Sequence, residues 1–263
     1  MSLHSIASQA LFLFLFSIIT ACSATAQQEN SRNAGVDMAR DCVILLHGLG
    51  RTSASMRSMA DALGRENFLV VNQEYPSREL NIEVLALDSI PKALTQCRQR
   101  GGGRRIHFVT HSMGGILLRY YLSVREISGL GHTVMLSPPN HGSEVVDLLK
   151  DNVLYEWMNG PAGQQLGTDA DSLPLRLDGV DYSVGVIIGN QPAFYDGYFS
   201  DLIPGPDDGK VSVESAKLPG MKDFLVVPCD HTFIMDDAEV IRQTIHFLKF
   251  GRFAEAEARR PPE

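Results

Sequence analysis

From Asp41 onward, short and almost uninterrupted apolar runs alternate with stretches of helical periodicity. Cys42–Leu46, Phe68–Val71, Ile106–Thr110, Thr133–Leu136, Val184–Ile188 and Phe224–Val227 are the runs. Continuous apolar strands of this length belong in a parallel sheet buried on both faces. Between them, Met56, Met59, Ala60 and Leu63 recur at helical spacing within Ser53–Leu63. Ile82, Leu85, Ala86, Ile90, Ala93, Leu94 and Cys97 trace a longer amphipathic helix, with Pro91 as a point of disturbance. Gly114–Val124 and Glu239–Phe250 complete the set, the last with Val240, Ile241, Ile245 and Leu248 as inner positions. Strand and helix in alternation imply right-handed crossovers and an α/β architecture: a mostly parallel central sheet flanked by helices. The pattern breaks between about 140 and 177, where Gly, Pro, Asn and Asp are frequent and the only Trp, Trp157, falls. That is too long for a plain connection, so a cap or lid insertion over the C-terminal edge of the sheet is expected.

One strand-to-helix junction carries chemistry. Thr110-His111-Ser112-Met113-Gly114-Gly115 follows the third run directly and opens a helix. A serine there sits on a sharp turn with its hydroxyl raised above the sheet, and the helix N-terminus beneath it favours developing negative charge. The alternative is a serine acting as a plain N-cap. Gly114 supplies the small residue that the turn needs two positions later. Thr110 does not supply it two positions earlier, so a wider turn or a shifted neighbouring helix is expected. Attack by such a serine needs two N–H donors for the oxyanion. The Met113 amide is one. Leu49, between Gly48 and Gly50 in the loop after the first strand, is the other, although these glycines also suit a plain tight turn. His47 at the head of that loop is read as a prop and a possible binding residue.

The helper groups should follow in the order serine, acid, histidine. Asp207-Asp208-Gly209-Lys210-Val211 comes after the fifth strand, and Asp230-His231-Thr232-Phe233 after the sixth. His231 is placed to take the Ser112 proton and Asp208 to hold the imidazole. Asp208 is preferred to Asp207 because Gly209 next to it suits a tight turn; Asp201 is a third choice. Among the other histidines, His111 lies on the elbow and is expected to point elsewhere. His107 and His132 sit at strand starts, the wrong end of the sheet. His246 belongs to the last helix, and His141 could line the pocket. Binding roles are considered for His47, His111, His141 and Trp157. Leu49, Met113 and parts of the insertion, with Leu154 and Trp157 as lid candidates, are expected to form an apolar acyl pocket; a structural role for Trp157 is the alternative.

Taken together, these segments and Ser137-Pro138-Pro139-Asn140-His141-Gly142-Ser143 resemble the α/β-hydrolase superfamily, and within it the small bacterial lipases and esterases. The resemblance runs from about Asp41 to Phe250. It implies hydrolysis of carboxylic esters through an acyl-enzyme on Ser112, with Leu49 and Met113 as oxyanion donors, Asp208 as the acid, and no metal or organic cofactor. Residues 138–143 resemble the stretch that shapes the pocket mouth in lipases. The elements begin at what would be the third strand of the full fold, so a compact member lacking the first two is expected. Acyl transfer and thioester cleavage use the same residues; a non-catalytic scaffold would predict a broken set.

The first residues are of another kind. Leu11–Ile19 is nearly all apolar, too short to span a bilayer comfortably, and reads as the core of a signal peptide over residues 1–26. Ala24-Thr25-Ala26 suits signal peptidase. Ile19-Thr20-Ala21-Cys22 resembles a lipobox, which would end the signal at residue 21 and leave Cys22 lipidated as a membrane attachment. No Lys or Arg precedes Arg32, and a buried N-terminal helix is the alternative. Export is expected, to the periplasm, the medium or the outer membrane as a lipoprotein. Residues 27–40 read as a flexible leader and 251–263 as a frayed tail. Cys42, Cys97 and Cys229 allow one disulfide, for which Cys42 and Cys97, expected near the starts of neighbouring strands, are preferred; three buried thiols is the alternative. Their spacing suggests no metal site. The net charge of −8, with 31 acidic against 23 basic residues and no basic stripe, argues against a nucleic-acid partner. An ester or lipid substrate is the expected partner.

Overall fold

The structure, a computed structural model, describes residues 40–149, 153–196 and 200–255, without the side chains of 153–158. The signal sequence, Cys22, nearly all of the leader, most of the tail and the side chains of Leu154 and Trp157 therefore lie outside the described residues.

Six strands form one parallel sheet in the order β2-β1-β3-β4-β5-β6. They are β1 (Arg40–Leu46), β2 (Leu69–Gln73), β3 (Gly102–His111), β4 (Leu130–Leu136), β5 (Val184–Gly189) and β6 (Asp223–Val227). All six expected runs are strands, most of them extended by a few residues at their polar ends. Residues 42–46 and the whole of β5 are buried, as an apolar strand covered on both faces must be. Side chains of β1 and β3 alternate between two cores, and Met135, Val184, Val186 and Ile188 of β4 and β5 belong to a third. Ile44, Leu46 and Phe108 meet α2 (Ile82–Gln99) and α3 (Met113–Val124) on one face. Val43, Leu45 and Val109 face α1 (Arg57–Arg65) and α7 (Ala238–Phe250) on the other.

The helices follow local chemistry. The Asn81 side chain accepts from the Val84 amide and starts α2, which runs on through Pro91 rather than ending there. The expected helix from Ser53 begins as a 3-10 turn over Ser53–Met56 before α1. In α7 the Asp237 carboxylate caps the first turn by accepting from Glu239 and Val240, and Gly251 at φ 72° ends it. Of the expected inner positions, Val240 and Leu248 are buried, while Ile241 and Ile245 sit at the rim. Phe247, Gln243 and Thr244 are buried instead. Gln243 can be buried because its amide bonds both the N–H and the C=O of Ala254.

The irregular stretch between 140 and 177 carries α4 (Glu144–Leu149), α5 (Val153–Gln164) and α6 (Leu173–Arg176). α5 is kinked at Gly160-Pro161, where Gly160 takes φ 62° against the backbone of Arg78 and leaves no room for a side chain. Arg119, buried on α3, fastens this stretch from below. Its guanidinium donates to the carbonyls of Asn140 at 3.0 Å and Leu177 at 2.8 Å, and also to Pro174 and Asp178.

Cys42 and Cys97 form a disulfide, with Cα atoms 6.0 Å apart. Cys97 lies in the last turn of α2 rather than at a strand start, so the bond joins that helix to β1. It closes 55 residues of chain. A loop of that size is worth about 4 kcal/mol through the unfolded state, less any native strain. Replacing both cysteines by Ala is expected to lower unfolding stability by about 2–4 kcal/mol, read as a fall in urea midpoint.

Candidate active site

In a parallel sheet wound both ways, loops diverge where the strand order reverses and leave a crevice at the carboxyl edge. Here the chain leaves β1 towards β2 on one side and resumes at β3 on the other. The loops after β1 and β3 therefore flank the crevice, and these carry Leu49 and Ser112.

Ser112 has φ 51° and ψ −123°, a strained conformation for a residue with a side chain. The turn is held by close backbone approach. A Cβ on Gly114 would meet the Leu46 carbonyl oxygen at 2.5 Å and that of His47 at 2.8 Å; one on Gly48 would meet His111 Nδ1 at 2.9 Å. Thr110 is wholly buried and is accommodated by Gly115, where a Cβ would come 3.3 Å from Thr110 Oγ1 and 3.3 Å from Pro138 Cβ. The second glycine of the motif makes the room that the missing first one would have given.

Three predicted side chains meet. His231 Nε2 lies 3.0 Å from Ser112 Oγ, and His231 Nδ1 lies 2.9 Å from Asp208 Oδ2. Asp208 is fully buried and fixed by its own turn: Oδ1 accepts from the amides of Lys210 at 3.1 Å and Val211 at 2.9 Å. Its carbonyl accepts from the His231 amide at 2.9 Å, so acid and histidine are joined twice. Gly209 closes the turn at φ 97°. Asp207 faces away, accepting from Ser200 Oγ and the Gly209 amide, each at 2.7 Å. Asp201 is exposed.

A cavity of about 390 Å³ opens onto Ser112 and His231. Leu49 lines it, as do Val145, Val146, Leu149 and Leu166 from the irregular stretch. Met113 does not: its side chain is buried in the core beneath the sheet edge. Among the described residues the amides of Leu49 and Met113 bond no loop carbonyl, which for Met113 is what the first residue of a helix does.

His141 and His111 depart from expectation, while His47 keeps its expected part as a prop. His141 is exposed, its Nδ1 on the Ser215 carbonyl, and its neighbours Pro139 and Ser143 line the cavity in its place. His47 is fully buried and does not reach the cavity wall. It stacks on Tyr75 with ring centroids 4.0 Å apart, and the Tyr75 hydroxyl donates to its carbonyl, which makes it a prop for the Leu49 loop. His111 does not point elsewhere. It lines the cavity, and its Nε2–H donates to the His231 carbonyl at 3.0 Å. A carbonyl can only accept, so the proton sits on Nε2. Burial, reinforced by His231 5.1 Å away, holds the His111 pKa well below the usual range and keeps the ring neutral. The sequence signal for this role was only the adjacency to Ser112.

His47 and His107 are also pushed down by burial. A histidine whose folded pKa lies below its unfolded value near 6.5 stabilises the fold fully above that pH. The unfolded chain binds more protons below it, so stability should fall as pH drops through about 6.5 and keep falling towards the lowered folded values. Urea midpoints measured at pH 7.5 and 5 are expected to drop, and His107→Gln to flatten that slope.

Six parallel strands with flanking helices, a strained serine elbow and an acid and histidine on the loops after β5 and β6 define the α/β-hydrolase fold. Solved structures agree. The mature form of lipase BlEst2 of Bacillus licheniformis is similar at a TM-score of 0.63 and 20% identity, over 83% of this chain and 94% of that one. Phospholipase PlaB of Legionella pneumophila gives 0.60 and 18%, over 79% of this chain and 57% of that one; this chain spans little more than half of PlaB. Lipase B of Aspergillus fumigatus gives 0.57 and 16%, over 80% and 52%. No protein-family model matches the chain, and neither does any curated protein sequence.

Proposed function

We propose that this chain is a serine hydrolase of carboxylic esters. The observation that carries the reading is the single imidazole held at 3.0 Å from Ser112 and 2.9 Å from Asp208. Ser112 Oγ attacks the ester carbonyl carbon while its proton passes to His231 Nε2. Asp208 offsets the imidazolium charge, and the Leu49 and Met113 amides receive the oxyanion. The C–O bond to the alcohol breaks, and the alcohol leaves with the proton from His231. Water, deprotonated by the same nitrogen, attacks the acyl carbon, and the acid departs as Ser112 regains its proton. Structural likeness to a lipase, a phospholipase and a carboxyl esterase supports the substrate class. The apolar walls from Val145, Val146, Leu149 and Leu166 suit an acyl chain.

Initial rates on p-nitrophenyl esters from acetate to palmitate, with a triglyceride emulsion alongside, test it. Turnover of at least part of the series is expected; a purified, folded protein inert towards all of them would overturn the reading. Export belongs to the same proposal. The Cys42–Cys97 disulfide suits an oxidising compartment. Globomycin-sensitive processing that is lost in Cys22→Ala would favour the lipoprotein form over the soluble one.

A further inference from the structure

We propose that Arg51 sets the substrate class: esters whose alcohol portion carries an anionic group, phosphate or carboxylate. The proposal rests on the ester-hydrolase reading.

Arg51 follows the Leu49 loop directly, and its side chain forms part of the cavity wall beside Ser112 and His231. Nη2 donates to the Thr232 carbonyl at 2.9 Å, which ties it to the residue next to His231. Nε is buried without a partner, and among the described residues no carboxylate lies within ion-pair distance of the guanidinium. Arg119 shows that a guanidinium can be buried on carbonyls alone; Arg51, by contrast, bonds a single carbonyl among the described residues and lines the cavity. The cavity's other cation, Lys210, is already neutralised by Asp196 at 3.1 Å. No acidic side chain is among the described residues lining the cavity. The field of Arg51 reaches inward, helping to hold both His47 and His111 below the usual range.

The side of the substrate follows from the reaction. His231 must protonate the leaving alcohol, so the alcohol lies at the His231 end of the cavity. The acyl chain is left the apolar wall of Val146, Leu149 and Leu166. Arg51 stands at the alcohol end, anchored one residue beyond His231. A guanidinium presents paired donors in a fixed plane that matches phosphate or carboxylate oxygens, and desolvation strengthens such a contact.

Three butyrate esters separate the possibilities: 1-butyrylglycerol, 1-butyrylglycerol 3-phosphate and O-butyrylglycolate. Wild type is expected to show the higher kcat/KM on one or both anionic esters, and which one it favours identifies the anion. Arg51→Gln should lower kcat/KM about 10- to 100-fold more on the favoured anionic ester than on the neutral one. Arg51→Lys should keep part of the preference, and raising salt from about 0.05 M to about 0.5 M should shrink it. The Thr232 bond alone would make Arg51→Gln lower all three rates by one shared factor, and that result would overturn the proposal. A readout without turnover is calorimetric titration of Ser112→Ala with glycerol 3-phosphate and with glycolate. Binding of one that weakens at least about tenfold on adding Arg51→Gln is expected. Such binding in a protein that cleaves no ester would sink the hydrolase reading and leave the anion site. Turnover of the neutral ester with no Arg51-dependent anion effect would sink the anion site alone.

Discussion

Ser112→Ala and His231→Ala are each expected to lower kcat on p-nitrophenyl butyrate by about 10,000-fold or more, with melting temperatures within about 3 °C of wild type. On the proposed mechanism the size of the effect comes from the serine and histidine acting as one unit. Without the hydroxyl no acyl-enzyme forms; without the imidazole the hydroxyl keeps its proton at neutral pH. Either loss should therefore cost nearly as much as both together, and the double variant should fall little further. The fold should survive because neither side chain is a major part of the core. Ser112 lies half-buried on the turn, and that turn is set by Gly48, Gly114 and Gly115 rather than by the hydroxyl. Residual activity within about tenfold of wild type in either variant would remove that residue from the reaction.

Asp208→Asn should lower kcat by about 1,000- to 10,000-fold, while Asp207→Asn should stay within about tenfold of wild type. The neighbours differ in what they face. Asp208 Oδ2 holds His231 Nδ1, so an amide there removes the charge that offsets the imidazolium and can present N–H to the wrong ring nitrogen. Asp207 spends its oxygens on Ser200 and the Gly209 amide, and its loss loosens the turn without touching the imidazole. KM on the short ester should change little in either case, because both residues lie outside the apolar wall of the cavity. The reverse ranking, with Asp207→Asn the damaging change, would mean that the acid comes from the wrong side of this turn.

The sheet was legible because its strands are continuous apolar runs, and the order of the site residues because each follows a strand. The Asp208-Gly209 pair is a tight-turn signal, and Gly209 has left-handed backbone. What escaped the sequence shares one cause. Arg119, Gln243 and His111 are polar residues buried by bonds to backbone carbonyls 11 to 120 positions away, and carbonyl positions leave no mark in the side-chain pattern. His141 was misplaced for the related reason that its ring turns to the Ser215 carbonyl instead of the cavity. Met113 shows the converse: it follows Ser112 as the first residue of the helix, while its side chain belongs to the core, and the letter alone does not tell the two apart. Thr110 packs against Gly115, where a Cβ would come 3.3 Å from its Oγ1.

If the hydroxyl of Ser112 is the group that becomes acylated, a covalent probe will find it. Incubation with a fluorophosphonate, tryptic digestion and mass spectrometry should find the phosphonyl adduct on Ser112 within the peptide Ile106–Arg119. The adduct should be absent from Ser112→Ala and formed far more slowly in His231→Ala. An active wild-type enzyme that stays unlabelled, or carries the adduct on a different residue, would contradict the account.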